Sequence, residues 1–179
     1  DVAALFGEQG RTSDGQVTFE ASSINTKPGT YDINVTTAAT RGDITGSVSL
    51  GASTTIDANN DALTLSIDGT SSGAITLTAG SYTQAQLVAE IQSQINADTT
   101  LSAAGKAVTV SLDGSNQIVI NSNIYGSSSK VEITAVDTNT VAQLGLSVAA
   151  GTDGVDIVGT INGVAASGNG QVLTAASGD

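Results

Sequence analysis

Ala62-Leu63-Thr64-Leu65-Ser66-Ile67-Asp68-Gly69 is the stretch on which the fold turns. Leucine and isoleucine fill alternate positions, with hydroxyl residues between them. A period of two puts one face on a core and the other in water. The closing Asp-Gly tolerates the positive φ of a tight hairpin. The same pattern recurs on both sides. Tyr31, Ile33 and Val35 alternate with Asp32, Asn34 and Thr36. Val108, Val110 and Leu112 alternate with Thr109 and Ser111, and Val131 and Ile133 flank Glu132. Asp113-Gly114 separates 108–112 from a second run at 117–120, and Asn162-Gly163 stands between two more strand-like runs. Pro28-Gly29 marks a turn ahead of the strand starting near Tyr31. Antiparallel sheets covered on one side are expected.

One segment breaks the alternation. Over 83–97, Leu87, Val88, Ile91 and Ile95 recur at helical spacing. Thr83 is a suitable N-cap, and Gln86 three residues later completes a capping box. A shorter helix is expected over 138–144, stopped by Gly145 in a left-handed cap. The fold class expected is therefore mainly β (α+β): two small domains of antiparallel sheet, one with an amphipathic helix packed on its sheet.

Small polar stretches at 51–61 and 149–154 bracket a self-contained unit of hairpin, helix, hairpin, strand and short helix. The flanks are all strand in pattern. This favours a discontinuous inner β domain, 1–48 plus 152–179, holding an inserted outer domain, 49–151, with its helix near 83–97. Two tandem domains are the competing layout, and spacing alone leaves both open.

Composition narrows the function. The 179 residues include no His, Cys, Met or Trp. Imidazole and thiolate chemistry is thereby removed, both for nucleophilic catalysis and for zinc. Five Lys and Arg stand against 17 Asp and Glu, a formal charge of -12. Nucleic acid is disfavoured, since binding needs cations that displace phosphate counterions. A polybasic membrane patch is missing as well. Hydrophobic content of 39% with 12% charged residues fits a folded chain, and 3% aromatics makes its core aliphatic. Each buried Val, Leu or Ile then contributes roughly 1.5–3 kcal/mol. No run approaches the length of a membrane helix, and no cleavable signal peptide is visible at the start. The opening at Asp1 and the close on Ser177-Gly178-Asp179 lead us to expect a piece of a longer protein.

Several local motifs dissolve on inspection. Asp57-Ala58-Asn59-Asn60-Asp61, with Asp68 at the twelfth position, has the outline of a calcium loop. Ala62 stands where that loop needs Gly. Ser127-Ser128-Ser129-Lys130 fits Ser-x-x-Lys, but the Ser-Asp-Asn and Lys-Thr-Gly partners are missing. Asp153 and Asp156 around Gly154 read as a solvated acidic turn. Paired carboxylates for sugar cleavage carry no signal among so many acids. The sequon Asn34-Val35-Thr36 sits inside an expected strand. No catalytic, cofactor-binding or metal residue is assigned, no cofactor is expected, and an enzyme is not.

A resemblance covers most of the chain. Its central features run in order: 62–69, 73–83, the helix with Leu87-Val88-Ala89-Glu90-Ile91-Gln92 and Ile95-Asn96-Ala97-Asp98, then 101–105, 108–110, 118–122 and 125–131. They resemble the outer insertion domain of flagellar filament cap proteins. Lys27-Pro28-Gly29-Thr30-Tyr31-Asp32-Ile33-Asn34-Val35-Thr36, then Ala38-Ala39-Thr40, is similar to their inner domain, as is Asp1-Val2-Ala3-Ala4-Leu5-Phe6. Residues 159–168, around Ile161-Asn162-Gly163, resemble a repeat shared by cap proteins and flagellins. The resemblance implies an extracellular structural protein, exported through the flagellar channel to the distal tip of the filament. It implies self-association into a ring, flagellin and junction proteins as partners, and promotion of flagellin assembly. It also implies adhesion to host mucin or glycans, for which the loop at 126–129 is a candidate. The variable region of a flagellin or a hook–filament junction protein is the nearest alternative, and a glycan- or mucin-binding surface adhesin the second.

Overall fold

Residues 10–176 are described by a computed structural model. Asp1 to Phe6, part of the resemblance above, lie outside the described residues. Alternation becomes strand almost everywhere it was expected. The elements in order are β1 (Ile33–Thr37), β2 (Asp43–Thr45), β3 (Ser53–Ile56), β4 (Ala62–Ile67), β5 (Thr70–Ser71), β6 (Ile75–Thr76) and β7 (Gly80–Thr83). Then come α1 (Gln84–Ala97), α2 (Thr99–Ala103), β8 (Val108–Leu112), β9 (Ile118–Ser122), β10 (Val131–Val136) and α3 (Thr140–Leu144). The chain ends in β11 (Ala149–Ala150), β12 (Val158–Ile161), β13 (Val164–Asn169) and β14 (Val172–Thr174).

The named strand pairings are antiparallel. One sheet has the order β1-β12-β13-β14 and joins the two ends of the described chain. The rest lies between them. A second sheet runs β11-β10-β4-β5, with β6 also on β4; a third is β2-β9-β8; β3 and β7 form a pair. The fold is mainly β, with an amphipathic helix on a sheet.

The core follows the alternation. Leu63, Leu65 and Ile67 of β4 are buried, with Val108 and Val110 of β8, Ile118 and Ile120 of β9, and Val131 and Ile133 of β10. Helix α1 lays Leu87, Ile91 and Ile95 on them. The buried cluster begins at Ile44 and ends at Leu146. None of it comes from the β1-β12-β13-β14 sheet. There the expected one-sided burial fails: every residue of β1 is exposed, Ile33 at 47% and Val35 at 44%.

Local signals explain the ends of the elements. The Thr83 side chain accepts from Gln86 N–H, and the Gln86 side chain accepts from Thr83 N–H at 2.9 Å, the expected capping box. The short helix forms over 140–144, and Gly145 ends it at φ 72°. Helix α2 was not anticipated; Asp98 Oδ1 caps it, accepting from Thr100 and Leu101 N–H at 3.0 and 2.9 Å. Asp68-Gly69 and Asn162-Gly163 make their turns with both residues at positive φ. The 113–117 loop differs from expectation. The left-handed residue is Asn116, φ 58°, and not Gly114. Asp113 Oδ1 organises the loop by accepting from Ser115 and Gln117 N–H, each at 2.8 Å.

Edge protection comes from α1. Strand β8 closes one side of the third sheet. Its outward groups meet helix side chains: Val110 N–H donates to Gln92 Oε1 at 2.9 Å, and Val108 N–H to Asn96 Oδ1 at 2.8 Å. Asn96 Nδ2 returns a bond to Val108 C=O at 3.0 Å. A covered edge cannot recruit another strand.

Candidate functional site

The acidic stretch at 57–61 folds on itself. Asp57 Oδ1 accepts from Asn59 N–H at 2.8 Å, and Asp57 N–H donates to Asn60 Oδ1 at 2.7 Å. The Asn60 amide turns inward, donating to Thr55 C=O at 2.9 Å and bonding Gln143 Oε1. Asp68 is elsewhere and nearly buried. It accepts from Ser122 Oγ at 3.0 Å and Lys130 N–H at 2.9 Å, and Lys106 Nζ lies at 3.8 Å. The outline of a calcium loop is therefore spent on internal hydrogen bonds. Among the described residues, no three carboxylates gather in a way that could hold a metal ion.

Ser-x-x-Lys has the same fate. Ser129 is buried, and its Oγ accepts from Gly42 N–H at 2.7 Å. Lys130 Nζ reaches Asp153 Oδ2 at 2.6 Å across solvent. Within the 126–129 loop, only Ser127 and Ser128 are exposed. Asn34 of the sequon lies in β1, paired with Thr160.

The 126–130 segment and the 153–156 turn meet at one place, the junction between the β1-β12-β13-β14 sheet and the larger body. Two connectors cross it side by side, at 38–42 and 151–157. Thr40 N–H donates to Val155 C=O at 2.9 Å, and Val155 N–H donates to Thr40 Oγ1 at 3.0 Å. The 126–129 loop packs on both. Gly126 N–H donates to Thr40 C=O, and Gly154 N–H to Ser129 C=O, each at 2.9 Å. The approach is so close that a Cβ on Gly42, Gly126 or Gly154 would strike backbone atoms or a carboxylate. Arg41 stacks its guanidinium 4.6 Å from the Tyr125 ring centroid.

Asp156 lies in the expected acidic turn, half-exposed, and its carboxylate is engaged. Its Oδ1 accepts from Gly170 N–H at 2.7 Å and from Ser127 N–H at 3.1 Å. Hydrogen bonding from the Ser127 side chain first, then from the Gly170 and Ser127 amides, holds the carboxyl below the ordinary aspartate range. The only sequence signal for this role is the density of glycines around an acid, which also describes a plain loop.

The same sheet presents an apolar face. Its register aligns Ile33, Ile161 and Val164 across β1, β12 and β13. Val35 shares that side, and Ile33, Val35 and Val164 are 47%, 44% and 42% exposed. The helices of the described residues are all too short or too polar to cross a membrane.

No family model matches the chain, and no curated protein matches it. Solved structures do. The D2-D3 domains of the flagellar cap protein FliD from Escherichia coli superpose with a TM-score of 0.52 at 19% identity, covering 84% of this chain and 79% of that one. The fold is that of flagellar cap D2-D3 domains. A D1-D2-D3 structure of the Escherichia coli protein gives 0.51 at 20% identity over 82% of this chain, which spans 44% of it. FliD from Pseudomonas aeruginosa PAO1 aligns over 87% of this chain at 21% identity with a TM-score of 0.47.

Proposed function

We propose that this chain is the middle, globular part of a flagellar filament cap protein, a structural and non-enzymatic component at the distal tip of the filament. The observation that carries this is the cap D2-D3 fold over 84% of the chain. The division expected from the sequence, 1–48 plus 152–179 around 49–151, belongs to the same proposal. The pairing of β1 with β12 across the intervening chain supports it. The pairing of β2 with β9, and the burial of Ile44 and Leu50, favour crossings nearer 38–42 and 151–157.

In this reading the whole protein is secreted through the flagellar channel and self-associates into a ring at the tip. It contacts flagellin and junction proteins and guides flagellin into the filament. A ring needs two different contact surfaces on each subunit. Adhesion to host mucin or glycans draws little from the 126–129 loop, half of which is buried at the junction. Light scattering on the whole protein tests the ring. A discrete oligomer that forms with rising concentration is expected. A strict monomer at every concentration would contradict it.

A further inference from the structure

We propose that Asp156 is the pin of a hinge: its carboxylate holds the β1-β12-β13-β14 sheet in one orientation on the larger body, and protonating or removing it frees the sheet to swing. The inference rests on the junction geometry and is independent of the cap assignment.

Three observations carry it. The sheet shares no buried core with the body, whose cluster runs from Ile44 to Leu146. Units that meet without a large apolar interface move relative to each other by default. The connectors are hydrogen-bonded to each other, to the 126–129 loop and to β2, β9 and β10, so they fix the body's side of the crossing. The sheet's side is fixed at Gly170, in the turn between β13 and β14. Gly170 C=O accepts from Ile157 N–H at 2.9 Å, and its N–H donates to Asp156. One oxygen, Asp156 Oδ1, therefore joins the turn of the sheet to the Ser127 loop of the body.

The glycines show how tightly this point is built. Gly126 has φ 98° and Gly170 φ 55°, and a side chain on Gly126 would collide with Asp156 Oδ1. Of the charged groups on the surrounding elements, Arg41 stacks on Tyr125, Lys130 pairs with Asp153, and the turn at 169–171 carries none. No other carboxylate is bonded to the Gly170 amide. The native pKa of Asp156 lies below its ordinary value. Its restraint is then complete above that value and lost as pH falls through the native pKa.

The chain lacks cysteine, so two introduced thiols label uniquely. Spin labels at Ser93→Cys on α1 and Thr174→Cys on β14, both exposed, report the distance between body and sheet. At about pH 7, a fully ionised carboxylate should give a single narrow distance peak. Asp156→Ala should lose that peak while keeping its circular dichroism. Asp156→Asn, neutral like the protonated acid, should broaden the peak already at neutral pH, because a neutral oxygen holds the two N–H groups more weakly than a carboxylate does. Acidification should broaden the peak in the parent and leave Asp156→Asn unchanged. A narrow peak in Asp156→Ala, or equal acid loss in the parent and Asp156→Asn, overturns the proposal. If Asp156→Ala does not fold, the acid comparison decides alone.

Discussion

Asn60 has no route to water. It is fully buried, and its amide spans Asp57 N–H, Thr55 C=O and Gln143 Oε1, tying the 57–60 turn to α3. Removing one partner from such a set leaves the others buried and unpaired, which costs more than the bond itself contributes. Asn60→Ala is expected to lower stability by about 1–3 kcal/mol, read as a lower urea midpoint at unchanged slope. A sequence reader sees Asn59-Asn60 as loop polarity, because inward and outward amides are spelled alike. The 113–117 loop teaches a related lesson. Asp-Gly is a strong turn signal, yet Asp113 spends its carboxylate on two loop amides, and Asn116 takes the positive φ. Asp156 is the extreme case, since its partners lie 29 and 14 residues away along the chain.

Periodicity made the elements legible. Strands β4, β8, β9 and β10 and helix α1 were readable because each buries one face, and burial is what writes a period into a sequence. Thr83 and Gln86 fixed the helix start for a local reason, a box closed within four residues. The short strands β2, β3, β6, β7 and β11 are two to four residues long, too short to carry a period. Helix α1 is also held at its exposed side, where Glu90 Oε1 accepts from Thr78 N–H at 2.8 Å and from Gln94 Nε2 at 2.9 Å. The Thr78 amide above all holds the Glu90 carboxyl below its ordinary range, against a smaller opposing effect of burial. This contribution is present above the ordinary value and lost as pH falls through the native pKa. Urea unfolding of the parent and Glu90→Ala should therefore differ at neutral pH and converge in acid. A gap that stays constant across that range would contradict the assignment.

For the whole molecule, the alternation of β1 predicted strand correctly and burial wrongly. A period of two reports which residues could share a face, and not whether anything covers it. The sheet built from both ends carries its apolar side half exposed, while the body keeps a closed core between Ile44 and Leu146. That asymmetry predicts independent folding. Residues 42–152 alone should unfold cooperatively on heating, with the helix signal of α1 intact; a broad, non-cooperative melt would show that the outer strands are needed. Spacing alone left tandem domains open, and the discontinuous layout proposed above draws its support from the resemblance of both flanks and the pairing of β1 with β12. The central claim, a cap role for the whole protein, is tested most directly by deleting its gene and measuring where flagellin goes. Unpolymerised flagellin in the medium, with filaments absent or stunted and rescued by the intact gene, is the predicted result. Filaments of normal length with no free flagellin would contradict it.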